Sequence, residues 1–193
     1  MKAAWYSRNG QAHEVLQLGE LPTPEPGPGE VRVRLLTSGV NPSDVKSRRA
    51  KAVTDPLIVP HSDGAGIIDR VGAGVSAARV GERVWVWNGQ WQRALGTACE
   101  YIALPEAQAV RLPEQTDFAA GACLGIPALT AIQAVTWAER MAGDLRGQSV
   151  LVTGASSGIG LATAKLLAAS GYRVFAGVRS EAGQAAIRAA GVG

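Results

Sequence analysis

The sequence predicts an irregular β-barrel followed by the beginning of a doubly wound, parallel α/β sheet. Three observations predict this fold. Up to about Val110, short apolar segments alternate with Gly/Pro turns, which is typical of strands. From Asp117 the apolar pattern becomes helical, and after Gly147 strand-like and helix-like segments alternate. A glycine-rich stretch, the glycine loop Gly154–Gly160, lies between the first of these strands and its helix.

The first part contains four strand-like segments and one connector. The strands are expected at 31–35, 64–72, 83–87 and 98–104. The connector, Leu21–Glu30, is expected on the surface, because proline lacks a backbone donor and glycine is conformationally free. Three tryptophans form an aromatic cluster that could hold a flat ring, although Trp85 is expected in the core; the cluster is Trp85, Trp87 and Trp91.

The second part begins with a helix over 118–124, for which Asp117 is the expected N-cap. Ile126-Pro127 interrupts this helix, which resumes over 128–137. Strands are expected at 149–152 and 173–176, and helices at 161–169 and 181–190. We therefore expect two domains, 1–125 and 126–193, of which the second is only the first portion of a dinucleotide-binding sheet.

Composition excludes several classes of protein. The net charge is only +3 and no Lys/Arg run exceeds two residues, so a nucleic-acid partner is not expected. The two cysteines, without a CxxC motif, are typical of a reducing cytoplasm. The sequence contains no apolar run of the roughly 18 residues that a membrane span needs.

The glycine loop has the order of parts that a dinucleotide diphosphate requires. Gly154 permits a tight turn, Gly158 permits close approach of a diphosphate, and Gly160 permits close packing of the following helix. The helix N-terminus adds free N–H groups and partial positive charge. The expected cofactor-binding residues of the loop are Gly154, Ala155, Ser156, Ser157, Gly158, Ile159 and Gly160.

The end of the next strand favours NADP(H) over NAD(H). An NAD site carries Asp or Glu there to bind the ribose hydroxyls. This chain has Phe175–Ser180 instead, with no acid before Glu181. We expect Arg179 and Ser180 to bind a 2′-phosphate, although Arg179 could also be an ordinary surface arginine.

These motifs, in their order, resemble the medium-chain dehydrogenase/reductase superfamily, and within it the zinc-free quinone oxidoreductase (zeta-crystallin-like) branch. Further segments that carry the resemblance are Met1–Ala3, Pro22–Leu35, Gly39–Asp44, His61–Ile68, Gly81–Val84 and Ala122–Ala131. The resemblance implies a GroES-like domain followed by a Rossmann domain. It also implies that a hydride passes from NADPH to a small-molecule quinone or α,β-unsaturated carbonyl, which would bind in the cleft between these two domains. The full-length protein would be a homodimer.

The resemblance also implies residue roles. Asn41 would be catalytic and would contact nicotinamide or a substrate carbonyl, Asp44 would hold its loop, and Thr130 would lie near the nicotinamide. An Asx-turn at Asn41-Pro42 and a bond from Thr130 to its own helix are the structural alternatives. No metal is expected, because Asn41 stands where metal-dependent relatives have Cys, an amide is a poor zinc ligand, and a lone histidine such as His61 is usually structural.

Two alternatives remain open. The glycine loop and the segment 172–179 also resemble the start of short-chain dehydrogenase/reductases, so the chain could be a hybrid joined near Gly147. Only two strands fit after Gly147, and roughly 100 further residues would complete a sheet of about six strands. We therefore expect this chain alone to bind NADPH weakly. The second alternative is a non-catalytic binding or assembly module, which would pair with a partner through an open sheet edge.

Overall fold

The computed structural model describes residues 1–142, 147–156, 158–189 and 191–192. These residues form two compact units, Met1–Gly125 and Ile126–Gly193, and each is described by itself. The predicted fold class is confirmed, with an antiparallel β unit first and a partial parallel α/β unit second. In this described part of the chain, no helix combines the length and the apolar character needed to cross a bilayer.

The first unit is built from seven strands and three short helices. These elements are β1 (Lys2–Trp5), α1 (Ala12–Val15), β2 (Gln17–Glu20), β3 (Glu30–Gly39), α2 (Pro42–Ala50), β4 (Asp63–Val71), β5 (Arg83–Val86), β6 (Tyr101–Pro105), β7 (Ala109–Arg111) and α3 (Phe118–Gly121). Strands β1 and β2 pair with each other, and the other five form an antiparallel sheet in the order β6-β3-β4-β5-β7. The four predicted strands therefore all exist, within a few residues of their expected bounds.

The core of this unit is a layer of branched aliphatic side chains on one face of the sheet. Its members are at most 2% exposed and include Val31, Val33, Ile68, Val84, Val86, Ile102 and Leu104. Because side chains alternate along a strand, Trp85 lies on the other face of β5 and is only half-buried. The expectation that Trp85 belongs to the core is therefore wrong, since its two valine neighbours fill that layer.

Strand β3 departs from the expected alternation at Arg32. The register of β3 against β4 shifts between Arg32 and Val33, and this bulge leaves three consecutive residues buried. The Arg32 guanidinium lies 2.9 Å from a carboxylate oxygen of Asp69 and 2.9 Å from one of Glu25. These ion pairs attach the proline-rich connector to the sheet, while the connector itself contains no helix, strand or buried residue over 21–29.

The second unit contains α4 (Leu129–Ala142), β8 (Ser149–Thr153), α5 (Gly158–Ala169), β9 (Arg173–Gly177) and α6 (Glu181–Ala189). Strands β8 and β9 are parallel, with Val150 opposite Val174. Side chains from the three helices and both strands share one apolar core, which includes Val135, Leu167, Val174 and Ile187. The parallel βαβ arrangement that the sequence predicts is thus present in the described residues.

Two helix bounds differ from the prediction. Helix α3 ends at Gly121, and a π-helical turn over Leu124–Ala128 follows, with non-helical backbone at Gly125 and Pro127 inside it. Helix α5 begins at Gly158, three residues earlier than expected. The sequence pattern placed Gly158 and Gly160 in a loop, because glycine disfavours helix interiors, but the first turn of a helix tolerates it.

Candidate functional site

The glycine loop lies at the carboxyl edge of the two parallel strands. Thr153, the last residue of β8, is opposite Gly177, the last residue of β9. The backbone N–H of Ala155 donates to the carbonyl of Gly177 at 3.1 Å, which holds the start of the loop against the end of β9. The loop and the turn between β9 and α6 are therefore neighbours, as the carboxyl ends of adjacent parallel strands must be.

The three glycines of the loop have different geometries; those of Gly154 and Gly160 match the predicted turn and close packing, while the contact of Gly158 with a diphosphate stays a prediction. Gly154 has φ +67°, a left-handed turn that strongly favours glycine. A Cβ at Gly160 would lie 2.3 Å from the carbonyl oxygen of Gly154, so only glycine lets α5 pack against this turn. Gly158 has φ +55°, and among the described residues no atom beyond the local backbone lies within 4 Å of where a Cβ would be, so this position faces open space.

The first turn of α5 follows directly from that open glycine. Helix α5 has 12 residues, so its N-terminus carries free N–H groups and partial positive charge. Ile159 is 37% exposed, whereas Ala155 is fully buried and its N–H is used by Gly177. A role for Ala155 in cofactor binding stays a prediction, and the structure gives it a packing role; the predicted residue Ser157 lies outside the described residues.

The β9–α6 turn carries the residues predicted to select the cofactor. Arg179 and Ser180 are both exposed there. The Ser180 hydroxyl oxygen accepts a hydrogen bond from the Gly183 N–H at 3.2 Å, so Ser180 also caps α6. A Cβ at Gly183 would meet the Cβ of Ser156 at 2.8 Å, which shows how closely the first turn of α6 approaches the glycine loop.

A second cluster of predicted residues lies in the first unit, around Asn41. Asn41 precedes α2 and is 6% exposed. Its backbone N–H donates to the Asp44 carboxylate at 2.7 Å, so Asp44 holds the start of α2, as the resemblance implies, while a catalytic role for Asp44 stays a prediction. Its side-chain amide donates at 2.8 Å to a carboxylate oxygen of Asp63, which is fully buried. One Asn41 amide proton is therefore engaged within the protein.

Several ionisable groups in this unit have shifted pKa values, among them Asp44, His61 and Cys99. Burial raises the pKa of Asp44, although the hydrogen bond from the Asn41 backbone opposes this shift. Burial lowers the pKa of His61, whose ring lies 2.9 Å from the Ser38 hydroxyl. Burial also raises the pKa of the Cys99 thiol to about 11, so this thiol is protonated at neutral pH. Among the described residues, no group of three His, Cys, Asp or Glu side chains could hold a metal ion.

Thr130 lies near the start of α4 in the second unit and is exposed. Within the described residues its hydroxyl makes no hydrogen bond, whereas Thr163 of α5 bonds the carbonyl of Ile159 at 2.8 Å. The bond from Thr130 to its own helix, which was the structural alternative, is therefore not formed. Its role near a nicotinamide stays a prediction.

Sequence reasoning missed two members of these clusters. Asp63 was recognised only as part of a family segment, because an acid at the start of a strand is usually exposed and its burial depends on distant partners. The Ser180 cap was missed because a serine before Glu181 was assigned to the cofactor alone, yet serine at that position is a strong capping signal.

Comparison with known proteins accounts for both units. Residues 27–114 match the family model of the alcohol dehydrogenase GroES-like domain, and residues 148–191 match that of short chain dehydrogenases. The rat quinone oxidoreductase is 37% identical over 174 residues, which cover 89% of this chain and 51% of the relative. The chain therefore contains a GroES-like domain of the alcohol dehydrogenase type, and it is similar to quinone oxidoreductases of the medium-chain dehydrogenase/reductase superfamily. It spans about half the length of the curated relatives it matches.

The solved structures of two other proteins match this chain over its whole length. A mycobacterial protein complexed with NADPH has a TM-score of 0.84 and 25% identity, covering 100% of this chain and 57% of its own. An NAD-dependent alcohol dehydrogenase has a TM-score of 0.83 and 32% identity, covering 100% of this chain and 62% of its own. Each of these single proteins spans both units in the same order. The hybrid alternative stays open, because residues 148–191 match the family model of short chain dehydrogenases rather than that of the first unit.

Proposed function

We propose that this chain provides the substrate domain and the diphosphate-binding part of an NADP(H)-dependent oxidoreductase. Its substrates would be a quinone or an α,β-unsaturated carbonyl, reduced without zinc. The observation that carries the proposal is the geometry of Gly158, whose left-handed backbone faces open space at the N-terminus of a 12-residue helix. The quinone oxidoreductases among the relatives support the reaction class.

The residues of this edge fit a dinucleotide. Gly158, Ile159 and Gly160 would bind the diphosphate through backbone N–H groups, with Gly154 forming the turn and Ser156 beside it. When bound, the nicotinamide supplies the hydride that the reduction requires. The chain's own contribution is orientation, because hydride transfer requires little acid–base chemistry from the protein.

NADP(H) is the proposed form of the cofactor. Arg179 and Ser180 are exposed beside the glycine loop, and Arg179 can bind a 2′-phosphate by charge and by its planar donor geometry. The complex of the mycobacterial protein with NADPH supports this form, whereas the similarity to an NAD-dependent dehydrogenase does not. The absence of an acid from 173–180 favours NADP(H) on chemical grounds.

Asn41 is proposed to contact the nicotinamide or the substrate through the amide proton that Asp63 does not use. The buried carboxylate of Asp63 would orient this amide, and Asp44 would hold the backbone that carries it. Thr130 is proposed to contact the nicotinamide from α4. No metal takes part in this proposal, since Asn41 replaces a thiolate and its amide already binds Asp63.

Binding of NADPH and NADH to the purified 193-residue chain, measured by calorimetry, tests the proposal. We expect NADPH to bind at least tenfold tighter than NADH, and Arg179→Gln to remove that preference. Arg173→Gln is the matched control, because Arg173 is also exposed but lies at the opposite end of β9. Equal binding of the two cofactors would overturn the preference, and binding of neither would overturn the proposed function for this chain.

Activity is tested by NADPH oxidation with 1,4-benzoquinone or a simple enone as acceptor. A non-catalytic module is the competing function, because Leu151 and Phe175, opposite each other on β8 and β9, are 68% and 55% exposed. A module would leave both cofactor binding and acceptor reduction at background, while its self-association would increase with concentration in sedimentation. Cofactor binding without self-association would favour the oxidoreductase.

A further inference from the structure

A chain of hydrogen bonds connects His61 to the backbone of Asp63 in the first unit. The Thr97 hydroxyl lies 2.6 Å from the carbonyl oxygen of Asp63. The Ser38 hydroxyl lies 3.0 Å from the Thr97 hydroxyl and 2.9 Å from Nδ1 of the His61 ring. Thr97 is fully buried, so its hydroxyl must find its partners within the protein.

The donor in each hydrogen bond of this series follows from its buried end, the backbone carbonyl of Asp63. A carbonyl oxygen only accepts, so Thr97 donates its one proton to Asp63. Thr97 can then only accept from Ser38, which uses the one proton of its hydroxyl. Ser38 must therefore accept from His61, and this requires a proton on Nδ1.

The consequence is a fixed tautomer of His61. With Nδ1 protonated, the neutral ring carries its lone pair on Nε2. Among the described residues, no hydrogen bond reaches Nε2. Burial lowers the pKa of His61, so the neutral form predominates at neutral pH.

The backbone supports a special role for this residue. His61 has φ +76°, a left-handed conformation that costs a residue with a Cβ about 1 kcal/mol or more. Its carbonyl accepts a hydrogen bond from the Thr97 N–H at 2.9 Å, which holds this conformation. Such strain is typical of functional sites, and here it places the ring against Ser38.

Asp63 connects His61 to the proposed substrate contact. Its backbone carbonyl ends the chain from His61, while its carboxylate accepts from the Asn41 amide at 2.8 Å. The two polar side chains are therefore oriented by one buried residue. A neutral imidazole acceptor complements a hydroxyl donor, which a hydroquinone has and a quinone lacks.

We propose that His61 is a specificity residue of the substrate site, and that its Nε2 accepts a hydrogen bond from the hydroxyl of a hydroquinone-type ligand. This inference rests on the proposed quinone chemistry. Nδ1 stays protonated in both charge states of the ring, so any proton that His61 gains or releases moves at Nε2. Because neutral Nε2 accepts a hydrogen bond and only the reduced ligand has a hydroxyl donor, the residue recognises the reduced form of the ligand.

The test is ¹⁵N NMR of the chain labelled at histidine. The chain has only two histidines, and His13 has an 82% exposed side chain that serves as an internal control. At pH 7.5 we expect His61 to show the Nδ1–H tautomer, and Ser38→Ala to shift it towards Nε2–H. An Nε2–H tautomer in the wild-type chain would overturn the inference.

The ligand step uses hydroquinone and 1,4-dimethoxybenzene, which has a similar shape but no O–H donor. We expect hydroquinone alone to shift the Nε2 signal of His61, with His13 unaffected. His61→Gln should weaken hydroquinone binding about tenfold, and His13→Gln should not. No shift with hydroquinone, or equal shifts with both compounds, would overturn the role of His61. Cofactor binding is measured separately, so failure of the proposed function is distinguishable from failure of this inference.

Discussion

Replacement of Asn41 by alanine removes the hydrogen bond between its amide and the buried Asp63 carboxylate. The bond is 2.8 Å long, and its two residues are 6% and 0% exposed. A hydrogen bond to a charged group contributes about 1.5–3 kcal/mol to stability, more than a bond between neutral groups does. Since water cannot replace the lost donor at so buried a site, we expect the free energy of unfolding to fall by about 2–3 kcal/mol.

Urea unfolding, followed by circular dichroism, measures this loss. Val40→Ala is the matched control, because Val40 lies in the same loop and is 66% exposed; its free energy of unfolding should change by no more than about 0.5 kcal/mol. Asn41→Asp places a second carboxylate against Asp63, so its instability should be largest at pH 7 and smaller at pH 5. An unfolding free energy of Asn41→Ala within 0.5 kcal/mol of the wild type would refute the buried pair.

Three further predictions follow from the first unit. Burial lowers the pKa of His61 below the unfolded value of about 6.5. The contribution of the neutral ring to the free energy of unfolding should therefore be complete above that pH and be lost as the pH drops through the folded pKa. The loss should be larger in the wild type than in His61→Gln. Cys123 is exposed, whereas the Cys99 thiol has a pKa of about 11, so Cys99 should react with a thiol reagent at pH 8 far more slowly. Arg32→Lys should lower the free energy of unfolding by about 2 kcal/mol, because lysine cannot reproduce the two-nitrogen contact with Asp69.

Each of these predictions has its own contradicting outcome. Identical pH dependence of stability in the wild type and His61→Gln would mean that the ring is not desolvated. Equal reaction rates of the single-cysteine variants Cys99→Ser and Cys123→Ser would mean that Cys99 is accessible. An unchanged urea midpoint in Arg32→Lys would mean that the charge alone, rather than the paired geometry, attaches the connector.

Local sequence patterns predicted the parts of this fold that depend on near neighbours. The βαβ order after Gly147 and the cap at Asp117 follow from periodicity and from single-residue preferences. The Asp117 carboxylate indeed accepts from the Ala120 N–H at 2.7 Å. The roles of Gly154 and Gly160 were also predictable, because a left-handed turn and a close backbone contact both require glycine.

The remaining features depend on contacts between distant parts of the chain. The burial of Arg32 requires a bulge and an acid 37 residues away, and neither is visible in an alternating pattern. The partner of Asn41 lies 22 residues away in β4. The His61 tautomer depends on Ser38 and Thr97, which lie on opposite sides of it in the sequence. Such pairings follow from contacts between segments far apart in the sequence rather than from local propensity.

The central claim is that the glycine loop binds the diphosphate of NADPH, and two glycines of the second unit allow a direct test. Gly158 and Gly171 both have left-handed backbones, at φ +55° and +86°, and among the described residues no atom beyond the local backbone lies within 4 Å of where a Cβ would be at either position. Alanine therefore introduces similar strain at each, but only Gly158 lies at the proposed diphosphate. Calorimetry should show NADPH affinity at least tenfold weaker in Gly158→Ala and unchanged in Gly171→Ala. Equal NADPH affinity in the two variants would contradict the account.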